Sequence, residues 1–346
     1  MRPPHTAKRG SLTVSDIGER ALIARIRARV GTPPSWIALG IGDDAAIVEP
    51  VRGRHDVLTT DSLVEDVHFK RAWTSPHDIG RKSVVVNLSD LAAMGATPRA
   101  LLLSLCLPPG FALDDFDALI DGVVAEADGA GAPLVGGNLA RSPGPLVVNV
   151  TAVGAVHPRR VLRRGAGRPG DELYLTGSIG GAAAGLEMLE AGVTRSALDP
   201  IQAACLERYE RPEARVRCGR LVAGHRAASA AMDLSDGLAD AVRQMAEAGG
   251  TGATINAEAL PVEPGARAWW EARRASAVVL AIAGGEDYEL LFAVPPKRRR
   301  AFQSVLAKCP GLTATRIGEI TRGSDLVLVR GEHRDSLPFG FVHFKS

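Results

Sequence analysis

Six aspartates standing among small and apolar residues constrain this chain more than any other feature. They are Asp43 and Asp44 in GIGDDAAIV (40–48), Asp61 in TTDSL (59–63), Asp90 in VVVNLSDLAAMGA (84–96), and Asp233 and Asp236 in MDLSDG (232–237). A solvated acid usually sits among Lys and Arg; a carboxylate beside Gly, Ala, Val and Leu is costly unless a cation meets it. No Cys or His clusters near these acids, so the natural partner is a hard cation such as Mg²⁺, which prefers oxygen ligands and often takes substrate phosphates as well. Phosphoryl or nucleotide chemistry is the leading expectation. Singly, each Asp-Gly or Asp-Asp step also reads as a plain turn.

A chain of 346 residues suits two domains of about 150–200 residues. The reading is an arm over 1–14, a first domain over 15–160 and a second over 161–346. Lys and Arg total 41 against 39 acids, a net charge of +2, which leaves no footprint for nucleic acid. Cys106, Cys205, Cys218 and Cys309 form no CxxC pair. That excludes a zinc framework and points to reduced thiols in a cytosol. The longest apolar run, Ala100–Leu107, stops at Pro108-Pro109, short of the ~18 residues a membrane span needs. The basic start MRPPHTAKRG has no apolar segment of signal-peptide type. A cytoplasmic protein with no membrane partner is expected.

Helical spacing covers 17–30, and short strands are expected over 45–48 and 56–60, joined as a hairpin through Pro50 and Gly53. Ser75-Pro76 opens a helix, with Ser as N-cap, that Gly95 closes. A buried strand over 100–107, a helix over 111–130 and strands at 134–135 and 146–153 follow. A second unit starts near Arg163, with strands over 172–176, 232–234 and 288–294 and helices over 182–191 and 238–248. The class is α/β or α+β.

Two patterns compete with the metal reading. Gly40-Ile-Gly42-Asp-Asp-Ala45, with Asp61 about 20 residues on, fits a dinucleotide fingerprint, but that fingerprint opens a helix and Ala45–Pro50 continues as a strand. The glycines of 177–181, between a strand and a helix, suit either a phosphate cradle or close packing, and lack the Gly-Lys-Ser/Thr ending of a P-loop.

Among the acids, Asp90 lies in the most apolar context, with Asn87 three residues back on the same helix face. Ser235 and Asp236 sit where a strand becomes a helix, and Thr59 and Thr60 add oxygens beside Asp61. Gly284-Gly285, followed by Glu286-Asp287-Tyr288, reads as a turn delivering acids to a strand start, or as a plain hairpin.

With these motifs in order, GIGDDAA (40–46), TTDSLVEDVHF (59–69), VNLSDLAAMGATP (86–98), DLSDG (233–237) and GGEDYEL (284–290), the chain resembles the thiamine-monophosphate kinases, relatives of aminoimidazole ribonucleotide synthetase and selenophosphate synthetase. The resemblance runs from about residue 15 to Phe344. It implies two α/β domains, the first pairing through its sheet with its copy in a homodimer. It also implies ATP and several Mg²⁺ ions in a cleft formed with that partner, and thiamine monophosphate as acceptor. By the same resemblance, Asp44, Thr59, Thr60, Asp61, Asp90 and Asp233 are magnesium ligands, with Asp236 near a further ion and Asp43 behind Asp44. Gly137, Asn138, Arg163 and Ser235 contact ATP, and His68, Glu286 and Phe341 contact the thiamine phosphate. One position departs: the family's Gly-Gly-Asp, whose acid binds magnesium, reads Gly136-Gly137-Asn138 here.

The implied reaction is in-line transfer of the γ-phosphoryl group. The acceptor is a phosphate monoester with a second pKa of about 6, largely a dianion at neutral pH, so no general base and no protein nucleophile are expected. The alternatives are another ATP-dependent synthetase or dikinase of the superfamily, or a degenerate nucleotide-binding scaffold.

Overall fold

The structure is a computed structural model, and residues 12–340 are described. The chain divides into two compact units. Of the described residues, one unit holds those up to Leu91 and Pro98–Ala155, the other Ala92–Thr97 and those from Val156 onward.

The first unit contains α1 (Val14–Ile17), α2 (Glu19–Arg29), β1 (Ile37–Leu39), β2 (Ile47–Val48), β3 (His55–Val64), α3 (Pro76–Ala93), β4 (Thr97–Leu107), α4 (Leu113–Ala130), β5 (Leu134–Arg141) and β6 (Val147–Val156). Four strands form a sheet in the order β3-β6-β4-β5, with β4 and β5 parallel. The expected hairpin of 45–48 with 56–60 does not form. β2 pairs antiparallel with β1 instead, and β3 joins the sheet beside β6. Helix α3 begins as its cap residues dictate: the Asp78 N–H donates to Ser75 Oγ at 3.2 Å, and Ser75 Oγ donates to Asp78 Oδ2 at 2.7 Å. Helices α3 and α4 meet backbone to backbone, because a Cβ on Gly80 would lie 2.1 Å from the Leu119 carbonyl oxygen and one on Gly122 2.0 Å from that of His77. Along β4 the odd-numbered residues 101–107 are buried while Leu102 is 38% exposed, so among the described residues one sheet face is buried and the other is open at Leu102. Of the arm read over 1–14, residues 1–11 lie outside the described residues. Val14 donates its N–H to the Phe111 carbonyl at 3.0 Å, and Leu113 donates to that of Leu12 at 2.9 Å.

The second unit continues with β7 (Glu172–Thr176), α5 (Gly181–Glu190), α6 (Pro200–Glu210), α7 (Val216–Gly224), β8 (Ala230–Asp233), α8 (Leu238–Gly249), β9 (Gly252–Asn256), α9 (Pro264–Glu271), α10 (Ala277–Ala283), β10 (Leu290–Val294), α11 (Arg299–Leu306), β11 (Ala314–Thr321), β12 (Leu326–Arg330) and β13 (His333–Ser336). Its sheet runs β13-β12-β9-β11-β7-β10-β8, antiparallel except where β12 meets β9. Strand alternation splits its core between two faces. Leu173, Leu175 and Leu291 pack with residues of α5, α6, α8, α9 and α10; Tyr174, Phe292 and Val294 pack with residues of α7 and α11. The central strands β7 and β10 are buried at every position, as strands covered on both faces must be.

Candidate functional site

In the first unit, β3 and α3 bring two of the expected ligands together: Thr59 Oγ1 donates to Asp90 Oδ2. Both residues are half-buried. One turn before Asp90 on the same helix face, Asn87 is fully buried; its Nδ2 donates to the Ser83 carbonyl at 3.0 Å, and its Oδ1 has no hydrogen-bond partner. An unmet buried acceptor costs about 1–3 kcal/mol. Asp61 follows two residues after Thr59 on the same strand face. Thr60, between them, turns the other way, with Oγ1 at 3.1 Å from the Val150 carbonyl and 3.0 Å from Thr151 Oγ1 on β6. Its hydroxyl is therefore not on the Thr59–Asp61 face.

Asp43 and Asp44 sit in an exposed bend before β2, where Asp43 Oδ1 accepts the Asp44 N–H at 2.8 Å. No helix opens after GIGDDA, which removes the dinucleotide fingerprint. Gly137 and Asn138 lie exposed on the edge strand β5, Asn138 in register with Ser104. Gly137 is obligatory: a Cβ there would fall 1.8 Å from the Leu103 carbonyl oxygen. His68 follows a tight turn in which the Val64 N–H donates to His68 Nδ1 at 3.1 Å, so the neutral ring carries its proton on Nε2. Its carbonyl accepts from Nζ of the buried Lys82 at 3.4 Å.

In the second unit, Asp233 ends β8 and is 5% exposed, and Ser235 and Asp236 lead through Gly237 into α8. The segment 284–288 is bound to this turn: Glu286 donates its N–H to the Ser235 carbonyl at 2.7 Å, and Leu234 donates to that of Glu289 at 2.9 Å. Gly285 is required here, since a Cβ would lie 2.5 Å from the Ser235 carbonyl oxygen. Glu286 has φ +67° and Tyr288 φ +49°, a left-handed backbone that costs a non-glycine residue about 1–3 kcal/mol each. Such strain persists only where the surroundings enforce it.

The enforcement comes from Asp287, in the acidic run after Gly284-Gly285, and from Glu289, Arg208 and Arg215, which sequence reasoning missed. Asp287, wholly buried between the two strained residues, accepts the Gly180 N–H at 2.6 Å and the Ala182 N–H at 3.2 Å. It thereby caps α5. These are the amides a phosphate cradle over 177–181 would have used, and close packing accounts for the glycines: a Cβ on Gly177 would lie 2.1 Å from Glu289 Oε1 and one on Gly180 2.8 Å from Ala281 Cβ. Glu289, also fully buried, accepts from Arg215 Nε at 2.9 Å, Arg215 Nη2 at 2.6 Å, Arg208 Nη2 at 3.3 Å and Thr176 Oγ1 at 2.6 Å. Burial pushes the Asp287 carboxyl up to about 6, against the opposing pull of Arg208 and the two amides. Burial acts the same way on Glu289, but the Arg215 and Arg208 guanidinium groups prevail and hold it below the usual carboxylate range. The sequence signal for this pair is the alternation Asp287-Tyr288-Glu289 at a strand start; nothing local announces Arg208 or Arg215.

Arg163 is exposed and makes no ion pair among the described residues, whereas its neighbour Arg164 donates to Gln244. Phe341 lies outside the described residues. Gly340 rests on the start of α8, where a Cβ would come within 2.9 Å of the Asp236 carbonyl oxygen. Among the described residues, no three His, Cys, Asp or Glu side chains gather by themselves as a metal-binding group. The oxygen-only character of Thr59, Asp61 and Asp90, with the unmet acceptor of Asn87, fits a hard cation that is completed by further oxygens.

Residues 42–156 match the AIR synthase related protein N-terminal domain, and residues 168–331 its C-terminal domain. Thiamine-monophosphate kinase from Synechococcus elongatus is 35% identical over 96% of this chain and 98% of its own length. The crystal structure of thiamine-monophosphate kinase from Stenotrophomonas maltophilia K279a is 38% identical, with a TM-score of 0.79 over 89% of this chain and 95% of that one. AaThiL complexed with AMPPCP and TMP aligns at 30% identity and a TM-score of 0.74, over 97% of this chain and all of that one. No helix among the described residues is long and apolar enough to cross a membrane.

Proposed function

The chain belongs to the thiamine-monophosphate kinases, and from that membership we infer that it converts ATP and thiamine monophosphate to ADP and thiamine diphosphate. The observation that carries the reading is the near full-length likeness to these kinases, among them one complexed with AMPPCP and TMP. The experiment is the direct one, formation of thiamine diphosphate from ATP and thiamine monophosphate by the purified chain.

Both substrates are anionic, so the barrier is mutual repulsion, which charge neutralisation and positioning lower. In our assignment Arg163, exposed and without an acidic partner, contacts the ATP phosphates together with Gly137, Asn138 and the Ser235 turn. Asp44, Thr59, Thr60, Asp61, Asp90, Asn138, Asp233 and Asp236 hold magnesium; when bound it neutralises phosphate oxygens and fixes their line of approach. Thr60 would serve through its main chain, because its hydroxyl is committed to β6. His68, with its proton on Nε2, and Glu286, held in its left-handed conformation, take the thiamine phosphate together with Phe341. The dianionic acceptor needs no base.

Asn138 keeps an oxygen ligand but removes a negative charge, so the site demands more magnesium than one with an aspartate. The same substitution is the observation that favours the degenerate-scaffold alternative, and turnover by the native chain decides between them. The open sheet face of the first unit carries Leu58, 70% exposed, and Leu102, which supports a homodimer closed over that face. Sedimentation near twice 36.3 kDa is expected, and a stable active monomer would refute it. The four cysteines are unpaired, which supports a cytoplasmic setting, to be checked by fractionating the native host.

A further inference from the structure

The second unit carries a strongly basic pocket that the kinase reading does not use. It lies where β7 and β8 begin and β10 ends, whereas Asp233 and Glu286 lie at the other ends of β8 and β10. Its volume is about 620 Å³, within the range of small-molecule sites. Arg159, Arg160, Arg168, Arg226, Lys297 and Arg298 line it against a single carboxylate, Asp171. The chain as a whole is close to neutral, so this excess is local. None of the six cations makes an ion pair among the described residues; the side chain of Arg298 is spent on the Ala228 carbonyl, at 3.2 Å. The carboxylate is turned inward, accepting the Arg168 N–H at 3.1 Å and the Ser229 hydroxyl at 2.5 Å.

Two local choices in the chain depart from local preference at this pocket, although Arg299 of the second is paired with Glu172. Arg226 holds φ +51°, directly after the end of α7, where glycine is the ordinary occupant. The run Lys297-Arg298-Arg299-Arg300 stacks positive charge on the start of α11, the positive end of a helix dipole. Departures of this kind from local preference collect at functional sites.

We propose that this pocket binds the di- or triphosphate group of a small molecule. Six cations around one concave volume match several phosphate charges rather than one, and guanidinium groups suit phosphate oxygens. No aromatic side chain lines the pocket, so it offers no stacking platform for single-stranded nucleic acid. The proposal does not depend on the kinase reading.

The test is calorimetric titration of inorganic tripolyphosphate into the full chain without added nucleotide, so that neither site is filled beforehand. The double variant Arg226→Gly, Lys297→Ala is the comparison; glycine suits the Arg226 backbone, so the fold is retained. One tripolyphosphate equivalent on the native chain, weakened tenfold or more in the variant with thiamine diphosphate formation unchanged, is the expected result. A nucleoside triphosphate binding tighter than tripolyphosphate at this second site identifies a nucleotide source, and equal affinities identify recognition of the phosphates alone. Absence of any tripolyphosphate equivalent that the variant weakens, or orthophosphate binding as tightly as tripolyphosphate, would overturn the proposal. So would affinity for single-stranded DNA that rises with its length.

Discussion

Replacing Glu289 by Gln should loosen the second unit far more than an isosteric change suggests. The carboxylate, itself fully buried, receives donors from Nε and Nη2 of Arg215, from Arg208 and from Thr176. Glutamine keeps one acceptor, places an NH₂ against N–H donors and leaves two guanidinium groups facing no charge from this position. Breaking a buried pair from one side costs about 3–5 kcal/mol. A unit of about 200 residues loses about 2–4 °C of melting temperature per kcal/mol, so the transition of this unit should fall by about 10 °C. Differential scanning calorimetry on native and variant protein reads this directly. Thr176→Val is the graded control: it removes one donor to Glu289 and the acceptor of the Leu290 N–H, at 2.6 and 2.8 Å, and should cost about 1–3 kcal/mol. A Glu289→Gln shift below about 3 °C would refute the view that this network holds the strained segment 286–288 in place.

The neighbouring acids give opposite pH dependences. Asp287, raised to about 6, has a folded value above the unfolded one near 3.9, so the folded state binds the extra proton between about pH 4 and 6. Its contribution is present in full at the acid end of that window and is lost as pH rises through 6. A swing of about 3 kcal/mol follows from the shift, and urea unfolding of Asp287→Asn across that window should show a flatter profile than the native chain. Glu289, held low, contributes above its unfolded value and loses that contribution as pH falls, so a Glu289→Gln variant should be less acid-sensitive than the native chain. Asn138→Asp should lower the magnesium concentration giving half-maximal rate; identical titrations of the two forms would show that position 138 does not ligate metal.

The legible parts of the fold were those with local chemistry. Ser75-Pro76 wrote the start of α3, and the run 172–176, following the turn residues Gly170-Asp171, reads as a strand and forms β7. The hairpin expectation failed because Pro50 and Gly53 mark a turn without naming partners, and β2 found β1, a pairing only the folded chain decides. Helix α6 was missed although Asp199-Pro200 announced it: Asp199 Oδ1 accepts the Gln202 N–H at 2.8 Å, with Pro in the first turn. At the candidate site, Asp90 was legible because an acid in an apolar helix must have a reason, and Thr59 meets it. Arg208 and Arg215 were not, because their partners Asp287 and Glu289 lie more than 70 residues away and no spacing rule spans that distance.

The central claim is a magnesium-dependent phosphoryl transfer onto thiamine monophosphate, and one measurement tests it most directly. The purified full chain is incubated with ATP, Mg²⁺ and thiamine monophosphate, and thiamine diphosphate and ADP are quantified beside the Asp90→Asn variant. The account predicts equimolar products from the native chain, none without Mg²⁺, and loss of turnover in Asp90→Asn with its melting temperature retained. Absence of thiamine diphosphate from the native chain, or undiminished turnover by Asp90→Asn at low Mg²⁺, would contradict it.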